Sequence, residues 1–527
     1  MYDLLIKGGT IIDGTGTPGF VGDVLIDEGK VLAIGRLSSK AKRVIPADGL
    51  VVAPGFIDAH SHSDLKLFTD PLAKEKILQG VTTEVLGQDG LGVAPVPKAV
   101  QELQSFVEPL LGTLDAWEWQ TIGEYLDALQ QARPAVNACV HVPHGTIRMV
   151  VMGLGAKEAT EDDLSAMASL IRQGMDEGAI GLSTGLIYAP AAFSDHRELV
   201  ALCRAVAEKN GVFTTHMRSE STGVIENVQE TIDIGKESGA HVHISHHKVS
   251  GMANWGKSKE TLSLISMGRA QGQKITCDLY PYTAGCTMLR TLLPPWSLEK
   301  GTKGLLSYLA DQSARTRIQQ DLQTGLPGWD SVARAIGWDK IVVTNVGSYQ
   351  GQKLEGLSLS QIAKIMAKEP IDALMDLLLI EEGQPSMITF QQDEEDMNRI
   401  MRYPYSVFCT DGIIMGGRPH PRLYGSFPRV LGHYVRERQL LSLEEAIRKM
   451  TSLPARLLSF NDIGRIRVGA MADVTIFDPD RITDKATYDD PKQHPEGINW
   501  VLVGGEVIVE EGEHTGKRCG RVLRKGR

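Results

Sequence analysis

The alternation of strand-like and helix-like patterns through the middle of the chain most constrains its fold. Eight short segments have the pattern of β-strands, and helical patterns lie between them. This alternation favours a parallel sheet that carries its helices on the outside. The predicted strands are residues 55–60, 82–86, 136–142, 179–183, 212–215, 241–245, 275–279 and 406–409.

Eight such strands predict an α/β fold with a (β/α)8 barrel, and an open, doubly wound sheet is the structural alternative. The predicted barrel region, residues 55–450, is longer than the roughly 250 residues typical of this fold. Insertions are therefore required. The long interval at about 285–345 is the predicted one, and we expect it to form a lid.

Both ends of the chain differ from this middle. Residues 1–54 contain short strand patterns separated by glycine-rich corners, and residues 451–527 repeat that character. We therefore predict one small β domain that is assembled from the two termini, with the barrel between its two parts.

The charge balance and the cysteines narrow the class of protein. The chain carries 55 Lys and Arg against 65 Asp and Glu, a net charge of −10, so we expect neither nucleic acid nor an anionic membrane as a partner. Six cysteines without a CxxC pair argue against a disulfide framework. The first residues lack the features of a signal peptide, and no apolar run approaches the ~20 residues of a membrane span. These observations predict a cytoplasmic protein and leave its oligomeric state open.

Polar side chains gather where the predicted strands end. In (β/α)8 barrels the chemistry lies at the carboxyl ends of the strands. One candidate site would therefore collect residues that are far apart in the sequence. They are His60, His62, Asp89, His144, His216, His246, Tyr280 and Asp411.

The pair His60 and His62 is the strongest local signal. Side chains at positions i and i+2 of a strand point to the same face, so both imidazoles can reach one metal ion. The pair ends the first predicted barrel strand, and further histidines end later strands. Neutral imidazole suits zinc, iron, cobalt or nickel, and carboxylate partners add harder ligands. We therefore predict a metal site.

Longer motifs run along nearly the whole chain. They are DLLIKGGTIIDGTG, VVAPGFIDAHSHSD, GVTTEVLGQDG, GLSTGLIY, TTHMRSE, ISHHK, DLYPYTAG, TDG, HPRLYGSFPRVLG, GRIRVGAMADVTIFD and HPEGINWVLVGGEV. These motifs resemble those of the amidohydrolase superfamily, and within it those of the D-aminoacylases (N-acyl-D-amino-acid deacylases). The resemblance implies a (β/α)8 barrel, a small β domain from both termini and an inserted segment over the active site.

The resemblance also implies roles for individual residues. His216 and His246 resemble the two histidines of a tight metal site, and His60 with His62 resembles a weaker second position. Asp411 resembles the general base at the end of the eighth strand. The residues that resemble substrate-binding groups are Lys248, Tyr280 and Arg422.

One segment departs from the family pattern. Where the D-aminoacylases have a metal-binding cysteine in GNCG, this chain has GQDG at residues 87–90, in which Asp89 replaces the thiol. A carboxylate can serve as the anionic ligand, but it is harder than a thiolate and disfavours soft metals. Glu84 is a rival for this role, and Cys286 stands where the family has a small hydroxyl residue.

The implied activity is hydrolysis of N-acyl-D-amino acids, which are small-molecule substrates. One or two zinc ions, with cobalt or manganese as alternatives, would activate water, and Asp411 would move its proton. Arg422 and Lys248 would bind the substrate carboxylate. The largely apolar residues 286–296 favour a neutral substrate side chain, whereas Arg290 would suit an acidic one.

Other interpretations remain. A cyclic-amide hydrolase of the hydantoinase or dihydroorotase type is the nearer alternative, although no lysine ends the fourth strand to serve as its carboxylated ligand. Residues 251–258 fit the nucleotide-binding pattern GxxxxGK[ST], but a histidine-rich strand precedes them. A metal-free scaffold with the same fold is a further alternative. We expect His247 to be structural, and His144 is a candidate for a role beside the site.

Overall fold

The computed structural model describes residues 1–98, 100–326, 328–348, 351–414 and 416–526. The predicted domains also include residues 99, 327, 349–350, 415 and 527, which lie outside the described ranges. The strands, in chain order, are β1 (Tyr2–Ile11), β2 (Phe20–Asp27), β3 (Lys30–Gly35), β4 (Ala41–Pro46), β5 (Val51–Pro54), β6 (Phe56–Asp58), β7 (Val81–Leu86), β8 (Asn137–Val140), β9 (Val142–Pro143), β10 (Gly181–Gly185), β11 (Val212–His216), β12 (His241–Ile244), β13 (Ile275–Leu279), β14 (Ala284–Met288), β15 (Ile341–Thr344), β16 (Ser386–Phe390), β17 (Ser406–Phe408), β18 (Val474–Phe477), β19 (Ile498–Val503), β20 (Glu506–Glu510) and β21 (Glu513–His514).

The helices are α1 (Lys66–Thr69), α2 (Lys74–Ile77), α3 (Val100–Leu111), α4 (Ile122–Ala132), α5 (His144–Met152), α6 (Glu161–Asp176), α7 (His196–Glu208), α8 (Val224–Ser238), α9 (Ser258–Ala270), α10 (Gly301–Ala310), α11 (Gln312–Thr324), α12 (Val332–Ile336), α13 (Leu359–Met366), α14 (Pro370–Ile380), α15 (Glu394–Arg402), α16 (Arg422–Arg429), α17 (Leu443–Met450) and α18 (Ser452–Leu457). A π-helix continues α16 over Val430–Glu437. Across the described ranges, no helix has both the length and the apolar composition needed to cross a bilayer.

Parallel strands form the predicted barrel. β6, β7 and β8 pair in one sheet; β9, which continues β8 after His141, pairs with β10, and the order then runs through β11, β12, β13 and β17. The ring closes after β17 and β6, where the Asp411 amide donates to the His60 carbonyl at 2.9 Å and Ser61 bridges Gly412. All eight segments predicted as barrel strands are confirmed, and the open-sheet alternative is wrong.

The barrel strands are buried on both faces because helices surround them. Every residue of β7 is buried, including Thr82, Thr83 and Glu84, as expected for a parallel strand that is covered on both faces. The outer helices carry local start signals: the Thr160 hydroxyl accepts from the Asp163 amide at 3.2 Å and caps α6. This scaffold fixes where the loops at the carboxyl ends of the strands begin.

A second sheet joins the two ends of the chain, as predicted. β5 pairs with β1 on one side and with β18 on the other, and Val52 of β5 lies opposite Ile476 of β18. Its strand order is β21-β20-β19-β18-β5-β1-β2-β3, with β4 paired to β1. The small β domain from both termini is therefore confirmed, while its bounds at residues 54 and 451 stay a prediction.

The inserted unit lies between β13 and β17. Its antiparallel sheet has the order β14-β16-β15, and helices α10 to α14 pack on their own apolar core, which includes Leu305 and Leu374. The segment predicted at about 285–345 covers β14 and β15, but the unit continues to Phe390. β16 returns between the other two strands, and local patterns do not reveal such long-range pairing.

Candidate metal centre

His60 and His62 follow β6 at the carboxyl end of the barrel. Ser61 between them hydrogen-bonds to Glu84 and Lys76 beneath the site, so the two imidazoles lie on the other side of the segment. Their ring centroids are 5.1 Å apart. The spacing of two residues thus directs both rings to one place, as the strand period predicts.

Two groups of potential ligands lie beside each other. The first ligand group comprises His60, His62, Asp89 and Asp411, and the second comprises Asp89, His216 and His246. Within each group the ligand atoms lie within 4.8 Å of one another, and all these residues are buried. The structure therefore brings together the predicted metal ligands and the predicted base.

Asp89 belongs to both groups because its two oxygens face different neighbours. Oδ1 lies 3.6 Å from Nε2 of His246. Oδ2 lies 3.5 Å from Nε2 of His60 and 3.9 Å from Nδ1 of His216. One carboxylate is thus placed to contact two ions at once.

The donor set fits a divalent metal. Ligand bonds of about 2.1 Å in a tetrahedron separate ligand atoms by roughly 3.4 Å, and the Nε2 of His62 lies 3.3 Å from Oδ1 of Asp411. Among the described residues, both nitrogens of His60, Oδ1 of Asp89 and Nδ1 of His216 have no hydrogen-bond partner although they are buried. Buried polar atoms without a partner are costly, and a metal ion would satisfy them. Imidazoles and carboxylates together suit zinc, cobalt or manganese.

Three residues of the two groups have left-handed backbone conformations. The φ angles are +56° at Asp89, +31° at His246 and +46° at Asp411. Such conformations cost about 1–3 kcal/mol each in residues other than glycine and cluster at functional sites. The fold holds these three residues in place against local preference.

The surrounding charges keep both carboxylates ionised. Burial alone would raise the pKa of Asp89, but His60 and His246 outweigh it and hold that pKa well below the usual range. Burial also acts to raise the pKa of Asp411, and the Arg422 guanidinium together with His60 lowers it instead. An ionised carboxylate is the form needed both to bind a cation and to accept a proton.

Glu220 lies behind the second ligand group and was not predicted. Its Oε1 accepts from Nδ1 of His246 at 3.0 Å and from Nζ of Lys248 at 2.6 Å. A carboxylate behind an imidazole fixes the ring orientation, which here leaves Nε2 facing Asp89. The spacing of four residues from His216 is the sequence signal that could have found it. Lys248 lies in the pocket wall as predicted, but its ammonium is already paired.

Asp278 in β13 anchors the same region and was also missed. Its Oδ1 accepts from the backbone N–H of His246 at 2.6 Å, and its Oδ2 accepts from Nε2 of His243 at 2.8 Å. Oδ2 also lies 3.7 Å from Nδ1 of His60. Its position two residues before Tyr280, near the end of a barrel strand, is the signal available in the sequence.

Arg422 stands beside the predicted base. Its Nη1 lies 2.8 Å from Oδ2 of Asp411, and its guanidinium carbon lies 4.5 Å from the ring centre of Tyr280. Nη2 donates to the carbonyl of Cys286 at 3.1 Å. Within the described part of the chain, Nε and Nη1 find no acceptor with hydrogen-bond geometry. The buried guanidinium thus keeps donors for an anion.

A pocket of about 890 Å³, including its open mouth, lies over these residues. The predicted metal ligands, base and substrate-binding residues line it, with the exception of His60. The inserted unit contributes Trp329, Ile336, Met387 and Thr389 to the opposite wall. The pocket therefore offers charged groups at its base and a mixed, largely apolar wall above them.

Two residues that were alternative candidates, Arg290 and Glu84, do not line this pocket. Arg290 is buried elsewhere, where it donates to the carbonyl of Phe106 at 2.7 Å. Glu84 accepts from Ser63 at 2.6 Å beneath the barrel end and is in neither ligand group. Of these two rival acids, Asp89 lies among the histidines and Glu84 does not.

The other histidines considered above have structural partners. His144 contacts Glu198 at 2.8 Å in a buried cluster outside the pocket lining, and His247 contacts Thr261 at 2.9 Å, as expected for a structural residue. Residues 251–258 fit the nucleotide-binding pattern, but the Ser258 hydroxyl donates a hydrogen bond to the Asp396 carboxylate. Helix α9 begins at Ser258. That pattern is a connecting segment after β12.

Comparison with known proteins agrees with this geometry. The sequence profile of the amidohydrolase family matches residues 43–509. A D-aminoacylase from Alcaligenes xylosoxydans xylosoxydans is 36% identical over 524 residues, which cover 99% of this chain and 97% of that protein. The crystal structure of N-acyl-D-glutamate deacylase from Bordetella bronchiseptica, complexed with zinc and a phosphonate that mimics the tetrahedral intermediate, is 34% identical, with a TM-score of 0.84 over 99% of each chain.

An L-hydantoinase from Arthrobacter aurescens shares the fold alone, because it is 15% identical with a TM-score of 0.54 over 100% of both chains. The deacylase interpretation is thus supported over the cyclic-amide alternative. The motifs, the two ligand groups and the full-length similarity lead to one conclusion: the chain belongs to the amidohydrolase family, and within it to the D-aminoacylase group.

Proposed function

We propose that this protein hydrolyses the amide bond of N-acyl-D-amino acids to a D-amino acid and a carboxylic acid. The observation that carries the proposal is the shared ligand Asp89, which joins two buried ligand groups at the base of a pocket that also holds Asp411 and Arg422. A metal centre, an ionised carboxylate and a buried guanidinium are the parts that hydrolysis of an acylated amino acid needs.

The ligand groups would hold one or two divalent ions, and zinc is the ion we propose, with cobalt or manganese as alternatives. His216, His246 and Asp89 would hold one ion, and His60 and His62 would hold a second. When bound, such an ion polarises the amide carbonyl and lowers the pKa of water toward ~7. Glu220 and Asp278 orient His246 for this task.

Asp411 moves the proton in this proposal. Its carboxylate accepts a proton from the attacking water and then donates it to the departing amine nitrogen, so that one residue serves as base and then as acid. The low pKa of Asp411 keeps the carboxylate ionised before the reaction. Tyr280 lies in the same pocket and would donate to the developing oxyanion.

Arg422 orients the substrate through its α-carboxylate. Its Nε, which has no acceptor among the described residues, can donate to that carboxylate, and Lys248 adds positive charge nearby in the pocket. With the carboxylate and the scissile amide fixed, the wall of the inserted unit receives the side chain. Ile336, Met387 and Trp329 favour a neutral, apolar side chain. We further propose that the enzyme acts in the cytoplasm, which suits its six free cysteines.

The test is release of amino acid from N-acetyl-D-methionine and from its L-enantiomer, detected with ninhydrin after chelation and re-addition of zinc or cobalt. Metal-dependent release from the D form alone is expected. Arg422→Gln tests the contact with the substrate carboxylate. We expect its KM to rise more than tenfold while its metal content is unchanged.

The contrary result is equally defined. An enzyme that binds metal but leaves both enantiomers intact would refute the substrate assignment, and the same assay on hydantoins would then test the cyclic-amide alternative. N-acetyl-D-glutamate in parallel tests the preference for a neutral side chain.

A further inference from the structure

A buried polar cluster lies directly beneath the metal centre, with Lys76 of α2 at its middle. The Lys76 ammonium donates to Oδ2 of Asp58 at 2.7 Å, to the Ser61 hydroxyl at 2.8 Å and to the Thr410 hydroxyl at 2.7 Å. It also lies 3.3 Å from Oε2 of Glu84. We call these five residues the Lys76 cluster; all of them are buried with a relative exposure of 0%.

The cluster touches both chain segments that supply the first ligand group. Ser61 lies between His60 and His62 in the sequence, and Thr410 immediately precedes Asp411. These two segments also meet directly, through the 2.9 Å hydrogen bond from the Asp411 amide to the His60 carbonyl and through the bridge between Ser61 and Gly412. The Lys76 ammonium adds a further connection, because it donates to one hydroxyl from each segment.

Asp58 completes that connection from the β6 side. Its Oδ1 accepts from the Thr410 backbone N–H at 2.8 Å, and its Oδ2 accepts from the Thr410 hydroxyl at 2.6 Å. The same hydroxyl accepts from the Gly412 N–H at 3.0 Å. The backbone on both sides of Asp411 is therefore held by groups that Lys76 binds.

The charges of the cluster are expensive to bury. One ammonium and two carboxylates lie out of water, and apolar residues of similar volume would often stabilise a fold as well. An ion cluster at this position instead gives fixed hydrogen-bond directions to the Ser61 and Thr410 hydroxyls. Its excess negative charge also lies beneath a site that we propose to hold cations.

We propose that Lys76 is a positioning residue that sets the spacing between the His60–His62 segment and Asp411, and thereby the affinity of the first ligand group for its metal ion. The proposal rests on the metal centre described above. Lys76 touches none of the ligand side chains by a hydrogen bond or ion pair in the described residues and acts through Ser61 and Thr410.

The test compares Lys76→Met with Lys74→Met, which removes an exposed ammonium from the same helix. Apo-enzyme is titrated with Co²⁺ against a chelating dye, and the visible absorption of the bound ion reports its coordination. We expect one Co²⁺ dissociation constant to rise about 10–100-fold in Lys76→Met, with an altered absorption spectrum. Lys74→Met should match the wild type in both readouts.

Thr410→Val and Thr410→Ser keep the proposal testable if Lys76→Met does not fold. Valine has the shape of threonine without the hydroxyl, so Thr410→Val should raise the same Co²⁺ dissociation constant. Thr410→Ser keeps the hydroxyl and should leave that constant near the wild-type value. Circular dichroism and the melting temperature of each apo-protein establish that it is folded.

Co²⁺ dissociation constants and spectra that are unchanged in the folded variants would overturn the proposal. An equal rise in the dissociation constants of all bound ions would also overturn it. These readouts need no substrate. A wild-type enzyme that fails to cleave N-acyl-D-amino acids would therefore contradict the proposed reaction and leave the role of Lys76 to be decided by the titration.

Discussion

At the scale of single residues, Asp89 has the most connected position in the site. It lies within 4 Å of histidines from three different barrel strands: Oδ2 faces His60 and His216, and Oδ1 faces His246. A thiolate would offer one atom for the same task, whereas a carboxylate offers two harder ones. This substitution should shift the metal preference of the chain away from soft ions.

Asp89→Asn tests this position. The neutral amide is a weak metal ligand, so we expect the metal content of the purified enzyme to fall by more than tenfold and the activity to fall with it. Metal analysis by mass spectrometry measures the first effect. Asp115→Asn, at an exposed position, is the control. Full metal loading of the Asp89 variant would contradict the shared-ligand geometry.

Asp411→Asn tests the proton-transfer role. Loss of a general base and acid costs about 10²–10⁴ in rate, so kcat for the D-substrate should fall by that factor. KM should change far less, because Arg422 still binds the carboxylate. Steady-state kinetics with metal held in excess measure both constants, and a kcat within tenfold of the wild type would exclude the role.

Glu75 predicts a pH dependence of stability. Burial raises the pKa of its carboxyl from 4.5 to about 7. Because the folded pKa lies above the unfolded one, this group stabilises the fold at low pH, and that stability is lost as pH rises through about 7. Between about pH 4.5 and 7, the free energy of unfolding measured by urea denaturation should fall by about 3 kcal/mol more in the wild type than in Glu75→Gln, because other buried carboxyls such as Asp64 contribute to both curves. Glu75→Gln should flatten the curve, and the exposed control Glu158→Gln should not.

At the scale of elements, the site depends on how strand ends and loops approach each other. Gly185, the last residue of β10, faces the carbonyl of Asp89 and the ring of Tyr188 at a distance that leaves no room for a Cβ. The loop that carries Asp89 after β7 thus packs on the end of β10, which lies beyond β8 and β9 in the barrel. A glycine there is a packing requirement of the metal centre.

Gly185→Ala is the corresponding test. The added methyl group must displace Asp89 or Tyr188, so we expect the metal dissociation constant to rise at least tenfold. Gly155→Ala is the matched control, because its Cβ would lie in nearly open space. Titration of both apo-proteins with Co²⁺ distinguishes them. Equal affinities would show that the loop has room to move.

At the scale of the whole molecule, the ion would connect distant parts of the barrel. The ligand residues lie at or just after the ends of β6, β7, β11, β12 and β17, so a bound ion links strands around the ring. A ligand that binds only the folded state stabilises it by about 2.7 kcal/mol at a free concentration of 100 times its Kd. The metal centre should therefore contribute to global stability.

Removal of the metal tests this contribution. Dialysis against a chelator should lower the free energy of unfolding of the wild type by at least about 2 kcal/mol relative to the zinc-loaded enzyme. Re-addition of zinc should restore it, as measured by urea denaturation. Asp89→Asn should show almost no response to zinc. If the free energy of unfolding of the wild type is the same with and without metal, that result would argue against ions at this site.

Local patterns predicted the barrel well and the inserted unit poorly. The barrel strands are short apolar runs flanked by turns and helices, and each signal is local. β16, in contrast, completes its sheet only by pairing with β14 and β15, and β15 ends more than 40 residues before β16 begins. Pairing at that separation leaves no periodic signal in the chain.

The sequence by itself determined the barrel strands, the strand-rich character of both termini and the set of histidines and acids at the strand ends, because the strand period is encoded locally. That the two termini form one β domain depends on long-range pairing, such as Val52 with Ile476, which the family resemblance implied. Only the tertiary structure decided that Asp89 rather than Glu84 lies among the histidines, that Arg290 lies outside the pocket and that Glu220 and Asp278 contact His246. Those outcomes depend on distances between loops that meet across the barrel mouth. Such distances follow from the packing of the whole ring and not from neighbours in sequence.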